Sequence, residues 1–157
     1  MKAILQRVKT ANVCVNRDFN NQKQRVEVGR IDFGWLILLG VCEDDTEDSA
    51  KKLATKCVTW RGLPDHSIEN GKISKSILDL SGSILVVSQF TLYASTSKGR
   101  RPSFNHASKG EHARDLYDVF CRCLKDAGVE RVECGAFGEE MYIESECWGP
   151  VTYTLET

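Results

Sequence analysis

Two short segments hold the residue types that could do chemistry. The first is Ser88-Gln89-Phe90-Thr91-Leu92-Tyr93-Ala94, directly after the apolar run Ile84–Val87. A strand that leaves the core at Ser88 would hold two hydroxyls, an amide and a ring rigidly against a ligand. No histidine or acid lies nearby in sequence to activate Ser88 or Thr91, and there is no Gly-x-Ser-x-Gly elbow. The same residues also read as a strand end whose hydroxyls satisfy local backbone groups.

The second segment is Gly149-Pro150-Val151-Thr152, close to the end of the chain. Proline has no N–H for a sheet ladder, so Gly-Pro opening a terminal strand is unusual. An X-Pro bond is the one peptide bond that adopts cis at modest cost. In a cis arrangement the two flanking carbonyls could point the same way and hold an ammonium group. The plainer alternative is a bend before the last strand.

A third segment, Lys98-Gly99-Arg100-Arg101-Pro102-Ser103-Phe104, sets three cations beside a glycine and an aromatic ring. That mix suits a phosphate backbone and a stacked base, and equally a solvated basic loop. Arg7 and Lys9 would add to such a patch. Cys121 and Cys123 fall at i and i+2 of a predicted helix and do not share a face. His66, His106 and His112 have no ligand spacing, so no metal site is expected. With no Gly-x-Gly-x-x-Gly and no P-loop, no nucleotide cofactor is expected either.

These segments need a scaffold. The 157 residues suit one domain, residues 1–157, able to bury an ordinary core. Apolar residues at 41% and charged residues at 27% fit a soluble globular chain, and a net charge of -1 leaves any nucleic-acid binding to a local patch. Seven cysteines with no framework spacing point to free thiols in a reducing, cytoplasmic compartment. The start, Met1-Lys2-Ala3-Ile4-Leu5, does not read as a signal peptide, and no apolar run approaches a membrane span.

Lys2–Val8 and Ala11–Val15 read as two strands, Asn16–Gln24 as a loop and Arg25–Ile31 as a half-buried strand. Trp35–Val41, bounded by Gly34 and Gly40, predicts a central strand. A helix follows, capped by Asp45 or Thr46, with Ala50, Leu53, Ala54, Cys57 and Val58 on one face. Ser83–Leu92 predicts a second core strand. After the polar loop Ser95–Ser108, Ser108-Lys109-Gly110-Glu111 fits a capping box, and Gly128 ends that second helix. Val129–Cys134, Met141–Cys147 and Val151–Leu155 predict three closing strands. The pattern is α/β: a sheet-rich layered (β/β/α) domain of about seven strands and two main helices.

The ordered motifs resemble the D-aminoacyl-tRNA deacylase family, which hydrolyses the ester between a D-amino acid and tRNA. They run from Gln6-Arg7-Val8 and Leu38-Leu39-Gly40-Val41 through Asp45-Thr46-Glu47-Asp48. Val86-Val87-Ser88-Gln89-Phe90-Thr91-Leu92-Tyr93, the basic loop, Gly135-x-Phe137-Gly138 and Gly149-Pro150-Val151-Thr152 complete them.

The resemblance implies a homodimer with active sites at the subunit interface and the aminoacyl-tRNA acceptor end as partner. It implies a cis Gly149-Pro150 peptide lent to the partner's pocket. There its carbonyls would hold the α-ammonium and leave no room for an L side chain, while D-amino acids and achiral glycine pass. It implies that Ser88 and Gln89 position the 3′ ribose and that Phe90 walls the pocket. Backbone N–H groups around Gln89, Phe90 and Thr91 would take the oxyanion. Met141 would line the substrate site, Arg7 would clamp the Gly-Pro loop, and Lys98, Arg100 and Arg101 would track phosphates. Thr91 stands where a nucleophile could, but water assisted by the ribose hydroxyl is the expected route. No cofactor is implied.

The family usually has Asn-x before Gly-Pro; here Cys147-Trp148 stand there, so other contacts must fix the loop. That departure keeps two alternatives open: a catalytically weakened nucleic-acid-binding dimer, and a deacylase with relaxed chirality.

Overall fold

The computed structural model describes residues 1–65, 71–97 and 99–157. In chain order the elements are β1 (Lys2–Phe19), β2 (Gln22–Ile31), β3 (Gly34–Gly40), α1 (Glu47–Thr59), β4 (Leu63–Pro64), β5 (Ile73–Lys75), β6 (Ser83–Ser88), α2 (Gly110–Asp126), β7 (Val132–Cys134) and β8 (Met141–Glu156). Strands β3, β6 and β7 are parallel, and the crossovers that join them carry the helices. Strand β1 runs antiparallel to β2 and β3, which follow each other along it, and to β8.

Alternation in β3 and β6 splits the interior into two layers. Trp35, Ile37, Leu39, Ile84 and Val86 face the helices, packing with Leu53, Ala54 and Cys57 of α1 and Phe120 and Leu124 of α2. Leu36, Leu85 and Val87 face the other way, against Val8, Ala11, Val13 and Ile31 of the bent antiparallel layer. The expected β/β/α layering follows directly, because a strand buried on both faces needs a cover on each.

Helix α1 has the buried stripe read from its spacing, and Thr46 rather than Asp45 caps it, accepting from Ser49 N at 3.4 Å. Asp45 is buried instead, accepting from Cys42 N at 2.7 Å and pairing with the α-ammonium of Met1. Gly128, at φ 98°, ends α2 as expected.

Several expectations need correction. The Asn16–Gln24 segment is no loop: β1 continues to Phe19, which pairs with Gln22 across Asn20-Asn21. Both asparagines are left-handed, at φ 49° and 62°, the geometry of a two-residue hairpin turn. The hairpin tip is exposed, so no apolar alternation betrayed it. The two expected first strands are one, bridged through Lys9 and Thr10 by register shifts against β8. The last two strands are likewise one, Met141–Glu156. Ser108 caps nothing, since α2 begins at Gly110 after Lys109 with no side-chain cap.

Gly34 shows how tightly β3 and β6 are joined. A Cβ there would sit 1.8 Å from the Ser83 carbonyl oxygen. Gly34→Ala is expected to cost about 3 kcal/mol, the upper end for overpacking. A urea midpoint equal to that of the parent would contradict this packing.

Candidate active site

Strand β6 ends at Ser88, opposite Leu39 of β3. Gln89 N donates to Leu39 O at 2.8 Å, extending the ladder by one residue. The chain then turns. Phe90–Tyr93 form a single 3-10 turn, closed by Leu92 N to Gln89 O at 3.3 Å and Ala94 N to Thr91 O at 3.0 Å. The expected strand to Leu92 therefore stops four residues early, because the backbone bonds within itself after Gln89.

This turn forms one rim of a cleft of about 670 Å³, a size that suits a small ligand. Ser88, Gln89, Phe90 and Met141 line it, with Leu39, Val87, Ala113 and Tyr117 among its other walls. Phe90 and Phe104 meet edge to face at 5.0 Å on one side, and Phe137 lies against Tyr117 at 5.5 Å on the other. Phe90 is 56% exposed, so a large apolar ring stands free at the mouth. Thr91 is exposed and does not line the cleft; its hydroxyl donates to Gln89 Oε1 at 2.7 Å.

Of the three main-chain donors expected around the turn, Gln89 N–H is already committed to Leu39 O. Phe90 and Thr91 open the turn, where N–H groups have no acceptor within it.

Gly149 and Pro150 form the second feature. Val8 pairs with Cys147 and Gln6 with Thr152, so residues 148–151 bulge from β8 opposite Arg7 alone. The Gly149-Pro150 peptide is cis, and Gly149 has φ 123°. Strand β8 is an edge strand, where a missing N–H is tolerated. Arg7, only 7% exposed, donates from Nε to Trp148 O at 2.9 Å, and its guanidinium lies 4.4 Å from the centre of the Trp148 ring. Burial lowers the Arg7 guanidinium pKa somewhat, an effect that Tyr153 opposes. Gln6 adds a bond to Val151 O at 3.3 Å.

The two features do not meet within one chain. Arg7 pairs with Trp35, whereas Ser88 pairs with Leu39. Four residues of strand separate them, about 13 Å. Gly149 and Pro150 are exposed and absent from the cleft wall.

The basic segment folds back on itself through Ser95 N to Ser103 O at 2.7 Å and Ser103 N to Ser95 O at 3.0 Å. Arg100 and Arg101 are exposed at its end, and Lys98 lies outside the described residues. Phe104 turns inward to the cleft instead of standing free beside the cations.

A family model described as D-Tyr-tRNA(Tyr) deacylase matches residues 4–156. The chain belongs to this family. A protein of Thermus aquaticus named D-aminoacyl-tRNA deacylase is 43% identical over 157 residues, covering 100% of this chain and 95% of its own. One of the same name from Aquifex aeolicus (strain VF5) is also 43% identical, covering 100% and 98%. A solved structure described as c-Myc DNA unwinding element binding protein has a TM-score of 0.85 at 33% identity, covering 100% of this chain and 99% of its own. Another, described as a probable eukaryotic D-amino acid tRNA deacylase, has a TM-score of 0.82 at 19% identity, covering 99% and 98%, and bears on the fold alone. Deacylases cleave acyl esters, so this is a family of hydrolases.

Cys147-Trp148, directly before Gly149, are held through the tryptophan. Trp148 is held by the Arg7 contacts and packs edge-on against Phe33 at 6.0 Å. Ser108 and Glu139 line the cleft and were missed by the sequence reading, while Gln6 was legible only as part of the Gln6-Arg7-Val8 pattern. Ser108 lines the cleft and shares a 2.8 Å hydrogen bond with His112 Nδ1. Its Ser-x-x-Glu context pointed to a cap instead. Phe137 was legible only as part of the Gly135-x-Phe137-Gly138 pattern.

Tyr117 is a fixed wall. Its hydroxyl donates to Val86 O at 2.8 Å, and burial, reinforced by the Cys121 and Cys134 thiols, pushes its pKa well above the ordinary phenol value. The hydrogen bond between the two thiols raises Cys121 and lowers Cys134. No helix among the described residues is long and apolar enough to cross a membrane.

Arg7→Ala removes both the bond to Trp148 O and the stack on its ring. The expected result is a loss of about 2 kcal/mol, the range for hydrogen bonds to charged groups, with a red shift in tryptophan emission. An unchanged emission spectrum would mean that the bulge is fixed by other contacts.

Proposed function

We propose that the protein hydrolyses the ester bond of D-aminoacyl-tRNA, releasing free tRNA and the D-amino acid, and that it acts on mischarged glycyl-tRNA as well. The observation that carries this reading is the turn that begins at Phe90, whose first N–H groups have no acceptor within it, on the rim of an aromatic-walled cleft of about 670 Å³. A terminal adenosine suits walls built of Phe90, Phe104 and Phe137, because aromatic rings stack on bases. Ser88 and Gln89 then orient the ribose. A water attacks the ester carbonyl while the free ribose hydroxyl relays its proton towards the departing ribose oxygen, and the Phe90 and Thr91 N–H groups stabilise the oxyanion. The tetrahedral species collapses as the carbonyl carbon–oxygen bond to ribose breaks, and the ribose oxygen takes up a proton.

In this reading the protein works as a homodimer in the cytoplasm, and each subunit lends its Gly149-Pro150 bulge to its partner's cleft. Support comes from the separation of the two features in one chain and from the exposure of the bulge. The bulge carbonyls hold the α-ammonium, and main chain stands where an L side chain would go. Arg100, Arg101 and Lys98 meet the acceptor-stem phosphates, and Met141 flanks the aminoacyl group.

A second reading, a nucleic-acid-binding dimer without turnover, is favoured by one observation: the 33% identity to a structure described as a DNA unwinding element binding protein. It predicts salt-sensitive binding and no deacylation.

Side-by-side incubation with D-Tyr-tRNA and L-Tyr-tRNA, with a chelator present, separates the readings. Loss of the D-ester alone is expected. Loss of both esters would indicate relaxed chirality, and loss of neither, with tRNA bound, would favour the binding protein.

Thr91→Ala tests the water route. Removing a covalent nucleophile costs on the order of 10⁶-fold in kcat, whereas this variant is expected to keep most of its activity. Complete inactivity with folding intact would overturn the water route.

Gly149→Ala tests the bulge. The new Cβ would sit 2.7 Å from Arg7 Nη2 and 2.9 Å from Val151 Cγ2, at a φ that L side chains rarely adopt. Displacing the bulge should lower kcat/KM on the order of 100-fold. Wild-type kinetics would remove Gly149 from the mechanism.

A further inference from the structure

The cleft wall has an electrical peculiarity. Among the described residues that line it, Glu139 is the one carboxylate and Lys109 the one cation. A carboxylate at the mouth of a cleft built for the end of a polyanion should repel its ligand. Glu139 does not stand alone. Arg17, from the tip of the β1–β2 hairpin, grips it with both terminal nitrogens: Nη1 meets Oε2, and Nη2 meets Oε1 at 3.0 Å. A two-pronged contact occupies both carboxylate oxygens, and its geometry is specific to arginine.

Arg17 reaches Glu139 because β1 runs on to the Asn20-Asn21 turn, placing Arg17 opposite Gln24. The hairpin is also seated without it. Asn16 Nδ2 donates to Tyr142 OH at 3.1 Å, and the Arg25 guanidinium lies 4.0 Å from the centre of the Tyr142 ring. The ion pair is not needed to hold the hairpin in place, and surface pairs of this kind contribute little to stability.

We propose that Arg17 is a specificity-determining residue of the cleft: it neutralises Glu139, so that the phosphates of a nucleic-acid end can approach the mouth. The extended hairpin is thereby part of the site. The inference rests on the deacylase reading for the identity of the ligand. The hydrogen bond from Arg17 also holds the Glu139 carboxyl below its ordinary value, so both partners are charged at neutral pH.

The test uses the full chain, Arg17→Ala and the double variant Arg17→Ala/Glu139→Gln, with D-Tyr-tRNA at low and high salt. Arg17→Ala is expected to raise KM about fivefold at low salt, with less effect at high salt and with kcat and the melting temperature unchanged. The double variant should return KM to the parental value, because it removes the bare charge without restoring the contact. An unchanged KM in Arg17→Ala would overturn the proposal. So would a raised KM that Glu139→Gln does not restore, since that marks a structural role. If the wild-type protein deacylates nothing, the deacylase reading fails. The affinities of the same three proteins for an uncharged acceptor-stem minihelix RNA, measured by titration, then decide the role of Arg17 separately.

Discussion

Everything in this fold leans on the parallel pairing of β3 with β6. Each strand is apolar on both faces, so neither can sit at a surface, and each face demands its own cover. The helices supply one cover and the bent β1–β2 layer supplies the other. The pair is thus held from both sides, and its far end, Leu39 and Ser88, cannot drift. The turn that follows Ser88 inherits that rigidity. Phe90 and Thr91 N–H groups are fixed in space by a core that lies wholly behind them. In the proposed hydrolysis that rigidity would matter, because donors that must reorganise lose much of their advantage.

The same pairing explains why the cleft and the Gly149-Pro150 bulge lie apart within one chain. Strand β1 reads β3 in the opposite direction, so residues near Arg7 lie at the start of β3 and residues near Ser88 at its end. No side-chain rearrangement closes a gap set by four residues of strand. A bulge on an edge strand, with exposed main chain and no ladder of its own, is instead well suited to insert into another molecule. In the proposed dimer each copy has both a cleft and a bulge, so an isologous pair would complete two sites at once.

Sequence periodicity revealed what apolar packing dictates. The run Trp35–Val41, the stripe Ala50–Val58 and the strand Ile84–Val87 carry their burial in their side chains. The motifs pointed to Ser88, Gln89 and Phe90, which line the cleft, and to Gly149-Pro150, whose peptide is cis. What stayed hidden was structure made by backbone or by solvated side chains. The β1–β2 hairpin tip is exposed, so its residues alternate nothing, and two left-handed asparagines are a quieter turn signal than Asn-Gly. The 3-10 turn at Phe90 interrupts a segment whose composition suits a strand. Ser108 matched a capping pattern and lines the cleft instead, because pattern alone cannot say where a helix begins. Arg17 and Glu139 lie 122 residues apart in sequence, and only the register of β1 with β8 brings their neighbourhoods together.

The bulge is held chiefly through its main chain. A side chain that recognises a ligand must be kept. A side chain that only holds a backbone can be replaced by any other that holds it. Before the bulge this chain has Cys147 followed by Trp148. The holding contact runs from Arg7 to the Trp148 carbonyl, an atom that every residue possesses. The tryptophan ring adds a face for the guanidinium and an edge for Phe33. Gly149 is not free in the same way. Its φ and the closeness of Arg7 and Val151 leave no space for a Cβ, so the geometry falls on glycine itself.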